Sequence, residues 1–383
     1  MKRRDFLRTS AVATCAVLAP RFALAQAPAG YRNLLVLIEM KGGNDGLNTV
    51  VPYADPAYYA LRPRIAIRRD GVLQLDGRAG LHPALAPLVP LWKAQELAIV
   101  QGVGYAHLNL SHFRSIEVWE TASQSEEYLS DGWLTRAFAA HPVPRSFAAD
   151  GVIVGSSDLG PLAGTGARAV ALANTEQFLR QAKMAQPMQV AQGNRALAHL
   201  LKVEADVAQA ASGLRGSHAF RTEFPQGPFG QAVRSAAQVV ASNAGVAAVR
   251  LSLDGFDTHQ NQPAPHANLL RQLAEGLAAL RSALVELDRW NSTLVLTYAE
   301  FGRRAQENGS NGTDHGTANV HFALGGRVKG GFLGAAPRLD RLKNGNLAVE
   351  FRSLYATVLE RWWSVPSSGV LGGRFPPLDL LKS

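Results

Sequence analysis

Cysteine is nearly absent: the 383 residues hold one, Cys15. It lies in an N-terminal stretch that reads as a targeting signal, so the mature chain is expected to have no thiol, no disulfide and no Cys-ligated metal. Any metal must then be held by Asp, Glu, His and hydroxyl groups. Membrane-length apolar runs are also missing. The run from Ala11 to Ala19 is nine residues, where a bilayer needs roughly 20. No Lys/Arg run with interleaved aromatics argues for nucleic acid. Nothing in the sequence calls for a nucleotide, flavin or haem cofactor.

What is present begins with that signal. Lys2-Arg3-Arg4-Asp5-Phe6-Leu7-Arg8 is a charged n-region, the apolar run follows, and Ala23-Leu24-Ala25 supplies a small-x-small cleavage pattern. Residues 1–25 are therefore expected to be removed, leaving a mature chain that starts at Gln26. Paired arginines before Asp-Phe-Leu resemble a twin-arginine (Tat) signal, which implies folded export to the periplasm or beyond; an ordinary secretory signal holding two arginines is the alternative. The signal carries five cations against one acid, so the formal net charge falls from +9 to +5 without it. That mild excess suits an anionic substrate or an anionic envelope surface. Apolar residues make up 47% and charged residues 18%, with 36 glycines and 20 prolines, as in a soluble protein with many loops.

The remaining chain alternates strand, loop and helix. Asn33–Met40 is a continuous apolar run, the pattern of a strand buried on both faces, and Leu97–Val103, Gly245–Leu253 and Thr293–Thr297 read as further strands. Residues 83–94 read as an amphipathic helix with Leu85, Leu88, Leu91 and Trp92 inward. From His266 to Trp290, leucines recur at helical spacing and read as core. Residues 174–245, rich in Ala, Gln and Ser, read as a helical excursion. Together these predict one α/β domain over 26–383, with a mostly parallel central sheet, helices on both faces and a helical insertion at 174–245.

Polar residues gather in the loops next to these strands. Asp45 lies in Gly42-Gly43-Asn44-Asp45-Gly46, Ser111 after the second strand, and Asp257 with His259 after the strand at 245–253. Glu300 closes the run at 293–297, and Asp314-His315 sits in a loop rich in Gly, Asn and Thr. All are read as following strands, and parallel strands share one rim, so residues far apart in sequence meet there. Each also has a plainer reading. Asn, Asp and Gly favour turns, and Ser111 stands where a helix N-cap stands. His107 and His112 are lone histidines, more often structural than ligating.

Several stretches carry a family resemblance: GGNDGLNTVVPY at 42–53, LRPRIAI at 61–67, LHPALAPL at 81–88, SHF at 111–113, DTH at 257–259, EFGRR at 300–304 and NGSNGTDHG at 308–316. They resemble the DUF1501 family of exported bacterial proteins over about 32–380. That family is in turn similar in fold to the alkaline phosphatase/sulfatase superfamily. The resemblance implies hydrolysis of a phosphate or sulfate ester, on a small molecule or a polymer, at one or two divalent ions such as zinc, calcium, manganese or magnesium. It implies Ser111 as nucleophile and Asp45, Asp257, His259, Asp314 and His315 as metal ligands, with Glu300 as a further ligand or outer partner. A phosphoryl- or sulfo-serine intermediate would follow. The resemblance also implies association with DUF1800 proteins, and with it a second reading: a non-catalytic envelope binding or assembly protein on the same fold.

Overall fold

The computed structural model describes residues 30–172, 218–339 and 347–382. The signal at 1–25 and the part of the helical excursion before residue 218 lie outside the described residues. Nine strands form the main sheet: β1 (Leu34–Lys41), β2 (Leu97–Gly104), β3 (Ala149–Val154), β4 (Ala169–Leu172), β5 (Val246–Asp254), β6 (Thr293–Tyr298), β7 (Asn319–Leu324), β8 (Gly331–Leu333) and β9 (Val349–Glu350). Their order is β8-β2-β7-β6-β1-β5-β3-β4, with β9 also paired to β2. Every pairing is parallel except those of β7, which runs antiparallel to both β2 and β6. The fold is α/β with a mostly parallel central sheet.

The apolar runs are explained by cover on both faces. Val36, Ile38 and Met40 of β1 pack with α3 (Pro228–Ala241), α4 (Pro263–Glu286) and the segment at 83–93. Leu35 and Leu37 face the opposite layer, made by α1 (His112–Thr121), α2 (Trp133–Ala140) and α5 (Phe351–Ala356). Leu270, Leu273, Leu277, Leu280 and Leu284 of α4 are all buried, as their spacing requires. The expected single helix at 83–94 is instead a 3-10 helix, Pro83–Leu88, running into a short α-helix, Val89–Lys93. Pro87 and Pro90 offer no N–H, so regular α-helical bonding is interrupted between them. Leu85, Leu88 and Leu91 are buried, and Trp92 is half-buried against the same core.

The direction of β7 corrects one expectation. Asp314 and His315 do not follow a strand; they precede β7. Because β7 is reversed, its start lies at the same rim as the ends of β1, β2, β5 and β6. The connection from residue 299 to 318 therefore leaves the sheet and returns to it along that rim.

His321, in the middle of β7, is buried beside Trp119 with ring centroids 5.2 Å apart. Neither ring nitrogen has a hydrogen-bond partner among the described residues. Burial pushes its pKa down to about 3. Below the ordinary histidine range the unfolded chain takes up a proton that the folded chain refuses. The group's contribution is thus intact above about pH 6.5 and is lost as pH falls toward 3, at up to about 1.4 kcal/mol per pH unit. His321→Leu is expected to flatten the acid limb of the stability curve, measured by urea unfolding across that range. An unchanged limb would show that His321 does not set it.

Candidate metal centre

Close backbone approach builds the rim. Gly42, at φ +114°, lies so near the loop after β5 that a Cβ there would stand 2.4 Å from the Asp257 nitrogen. A Cβ on Gly312 would meet the carbonyl carbon of His259 at 2.2 Å. Only glycine permits these contacts, which bring the loops after β1 and β5 against the 299–318 connection. An isolated antiparallel bridge pairs Arg303 with His315 and closes that connection on itself. Arg303 is fully buried, and its guanidinium donates to Asp257 Oδ1 at 2.6 Å, to the Gly43 carbonyl at 2.7 Å and to the Thr313 carbonyl at 2.9 Å.

Three imidazoles gather round Asp257. His259 Nε2 stands 3.0 Å and His315 Nε2 3.4 Å from Asp257 Oδ1, and His112 Nε2 stands 3.4 Å from Oδ2. His259 Nε2 and His315 Nε2 are themselves 2.9 Å apart. The opposite ring nitrogens all face oxygen acceptors. His315 Nδ1 lies 2.8 Å from the Leu110 carbonyl, His112 Nδ1 2.8 Å from Glu300 Oε1, and His259 Nδ1 3.5 Å from Asp314 Oδ1. A proton held at each Nδ1 leaves three Nε2 lone pairs turned toward one carboxylate, the tautomer and orientation that outer partners impose on metal-binding histidines.

The charges agree. Burial raises the Asp257 pKa, but the hydrogen bond and charge of Arg303, with His259 and His112, outweigh it and hold the carboxyl below its usual range. Asp314 is also held low, first by the Asn308 hydrogen bond and then, against burial, by Arg304 and His259. Burial lowers the His315 pKa, favouring the neutral ring that a metal requires. His259 Nε2 also faces the Arg303 guanidinium, whose Nη1 stands 3.4 Å away. Ligand atoms on a tetrahedral zinc ion sit about 3.3 Å apart, from bonds of about 2.0–2.1 Å. His112, one Asp257 oxygen and His315 offer ligand atoms that all lie within 4.8 Å of one another, and His259 Nε2 stands 2.9 Å from His315 Nε2 and 3.0 Å from Asp257 Oδ1. Three nitrogens and one oxygen suit zinc better than calcium or magnesium, which prefer all-oxygen shells.

The structure thus brings Asp257, His259, Glu300, Asp314 and His315 together. Glu300 and Asp314 stand behind imidazoles as acceptors. Asp45 is elsewhere engaged. Its carboxylate is fully buried and bidentate on Arg62, at 2.6 and 3.0 Å, and Oδ1 also accepts from the Leu47 amide at 3.2 Å. Among the described residues none of its hydrogen bonds reaches the three imidazoles, because the guanidinium and Gln262 take its oxygens. Ser111 is the N-cap residue of α1, exposed, with no side-chain capping bond. His112 was the least legible member; a lone histidine in the first turn of a helix gives no signal until the 299–318 connection packs over it. Beneath the rim, on the α1 face, Arg250 gathers Glu39, Glu120 and Asp158 at 2.6, 3.1 and 3.1 Å. Burial nevertheless pushes the Glu39 and Glu120 pKa values up, to about 7 and about 8.

An α/β protein with a histidine- and carboxylate-lined rim at its strand ends is what fold and site together define. Residues 98–367 match the model of a family described as "Protein of unknown function (DUF1501)", and the chain belongs to that family. No curated protein matches it in sequence. Solved structures similar to it include the PsFucS1 sulfatase from Pseudoalteromonas sp. (11% identity, TM-score 0.42, covering 91% of this chain and 70% of that one). Another is the lipoteichoic acid synthase LtaP from Listeria monocytogenes (9% identity, TM-score 0.34, 80% and 67%). A third is the phosphonate monoester hydrolase of Agrobacterium radiobacter (8% identity, TM-score 0.35, 90% and 78%). These likenesses are weak, and activity has to be argued from this chain's own side chains.

Proposed function

We propose that the protein is an exported, metal-dependent hydrolase of phosphate or sulfate esters, with His112, Asp257, His259 and His315 holding a zinc-like ion. The observation that carries the reading is the shared orientation of the three imidazoles, Nδ1 on an oxygen acceptor and Nε2 toward Asp257. When bound, such an ion polarises an ester oxygen as a Lewis acid. Glu300 fixes the His112 ring, Asp314 the His259 ring, and Arg303 fixes one oxygen of Asp257. Ser111 is peptide-bonded to His112 and exposed at the N-terminus of a ten-residue helix, whose free N–H groups favour an anion. In this reading Ser111 Oγ bonds to phosphorus or sulfur as the bond to the ester oxygen breaks, its hydroxyl proton passing to the departing oxygen, and water then cleaves the serine ester, returning a proton to Ser111 Oγ and releasing phosphate or sulfate. Arg304, half-exposed and 3.7 Å from Asp314, is a guanidinium on the same rim for the substrate's negative charge. Export rests on the twin-arginine-like sequence alone.

The test pairs elemental analysis with turnover of 4-nitrophenyl phosphate and 4-nitrophenyl sulfate. Wild type is expected to bind zinc and release nitrophenol from at least one ester. Ser111→Ala is expected to keep its zinc and lose turnover. Zinc without turnover of either ester would favour a non-catalytic binding protein, and no zinc would sink the metal-dependent reading.

A further inference from the structure

Two cations are already built into this rim. The Arg303 guanidinium lies among the carbonyl oxygens of Gly42, Gly43, Phe256 and Thr313 and the Asp257 carboxylate, all at 2.5 to 3.2 Å. Those oxygens come from three separate loops, after β1, after β5 and before β7. Arg62 fills a second such cluster: both oxygens of Asp45, the Asn48 side-chain oxygen at 2.8 Å, and the carbonyls of Arg304 and Ala305, each at 2.8 Å. Convergent carboxylate and carbonyl oxygens are what a hard divalent cation takes. Here both clusters are occupied by guanidinium side chains, which a chelator cannot remove.

We infer that the centre takes a single divalent ion, and that Arg303 stands in for a second one. This rests on the metal-dependent reading and departs from the two-ion alternative in the placing of Asp45. Arg303 claims Asp257 Oδ1 and leaves Oδ2 facing His112 Nε2. Of the carboxylates that could complete a second set, Asp45 is held by Arg62 and Asp314 by Asn308 and His259, while Glu300 gives Oε1 to His112 and the Gly42 amide and keeps a buried Oε2 with no hydrogen-bond partner among the described residues.

Zinc stoichiometry, read by native mass spectrometry and calorimetry on the full chain purified without added metal, decides the matter. One equivalent is expected for wild type, none for His315→Ala, and one for Asp45→Asn. Two equivalents on wild type, or loss of the equivalent in a folded Asp45→Asn, overturns the inference and leaves the metal-dependent reading standing. An equivalent retained by His315→Ala puts the ion elsewhere and overturns the inference as well. No zinc on wild type ends both. Should Asp45→Asn fail to fold, the wild-type count decides by itself.

Discussion

Zinc affinity is expected to fall by more than about 100-fold in the His259→Ala/His315→Ala variant, since disturbing only an outer partner of a metal ligand costs about 10- to 100-fold. The double change removes the two Nε2 atoms that lie 2.9 Å apart and leaves only His112 and Asp257 of the four donors. Outer-partner variants grade the effect. Glu300→Gln keeps the shape behind His112 but weakens the hold on its Nδ1 proton, and Asp314→Asn does the same behind His259. Each is expected to lose about 10- to 100-fold and to keep the stoichiometry. Competition against a chromophoric zinc chelator at neutral pH measures all three, with circular dichroism as the check on folding. An affinity in the double variant equal to wild type would remove the centre from this rim.

Arg62→Ala is expected to cost about 3–5 kcal/mol of stability, the range for stripping one partner from a buried ion pair. Arg62 and Asp45 are both completely inaccessible to solvent. Burial alone would raise the Asp45 pKa; the charge and hydrogen bonds of Arg62 reverse this and hold it below the usual range. Because its folded pKa is depressed, the pair's contribution is present above the unfolded carboxylate pKa and fades as pH falls through the folded one. The deficit of Arg62→Ala should therefore shrink in acid. A second change, Asp45→Ala, should recover part of the loss, because no unpaired charge then remains buried. Urea unfolding of the three variants at neutral and acidic pH checks this. A deficit under about 1 kcal/mol at neutral pH would contradict a buried, unscreened pair.

The parts of this architecture that were legible in the sequence are those written in local pattern. Predominantly apolar runs marked β1, β2, β5 and β6, since strands covered on both faces need mostly apolar side chains; the charges inside them, Glu39 and Arg250, pair with each other across β1 and β5. The leucines of α4 marked its buried stripe. Strand-end placement was enough to group Asp257, His259 and Glu300, whereas Asp314 and His315 reach the same rim only because β7 is reversed. What stayed hidden depends on contacts between distant segments. Nothing local reveals that β7 runs backward between two parallel strands. Nor does the loop around Asp45 announce that Arg62 will take both its oxygens, since Asn-Asp-Gly chemistry is the same for a turn and for a ligand. His112 joins the site only because a segment nearly half the chain away packs across it.

That reliance on β7 bears on when the centre can come into being. Its four proposed donors, His112, Asp257, His259 and His315, span more than half of the sequence, and only Asp257 and His259, two residues apart, are joined by local chain. Small zinc modules draw their ligands from one short stretch, so the ion can nucleate folding. Here the β6–β7 connection leaves the sheet and rejoins it between β2 and β6, so the donors converge only once those strands are paired. On the metal-dependent reading, uptake of the ion would therefore follow completion of the tertiary structure. Refolding in the presence of a chelator should lay down the whole sheet and leave only the rim unfinished.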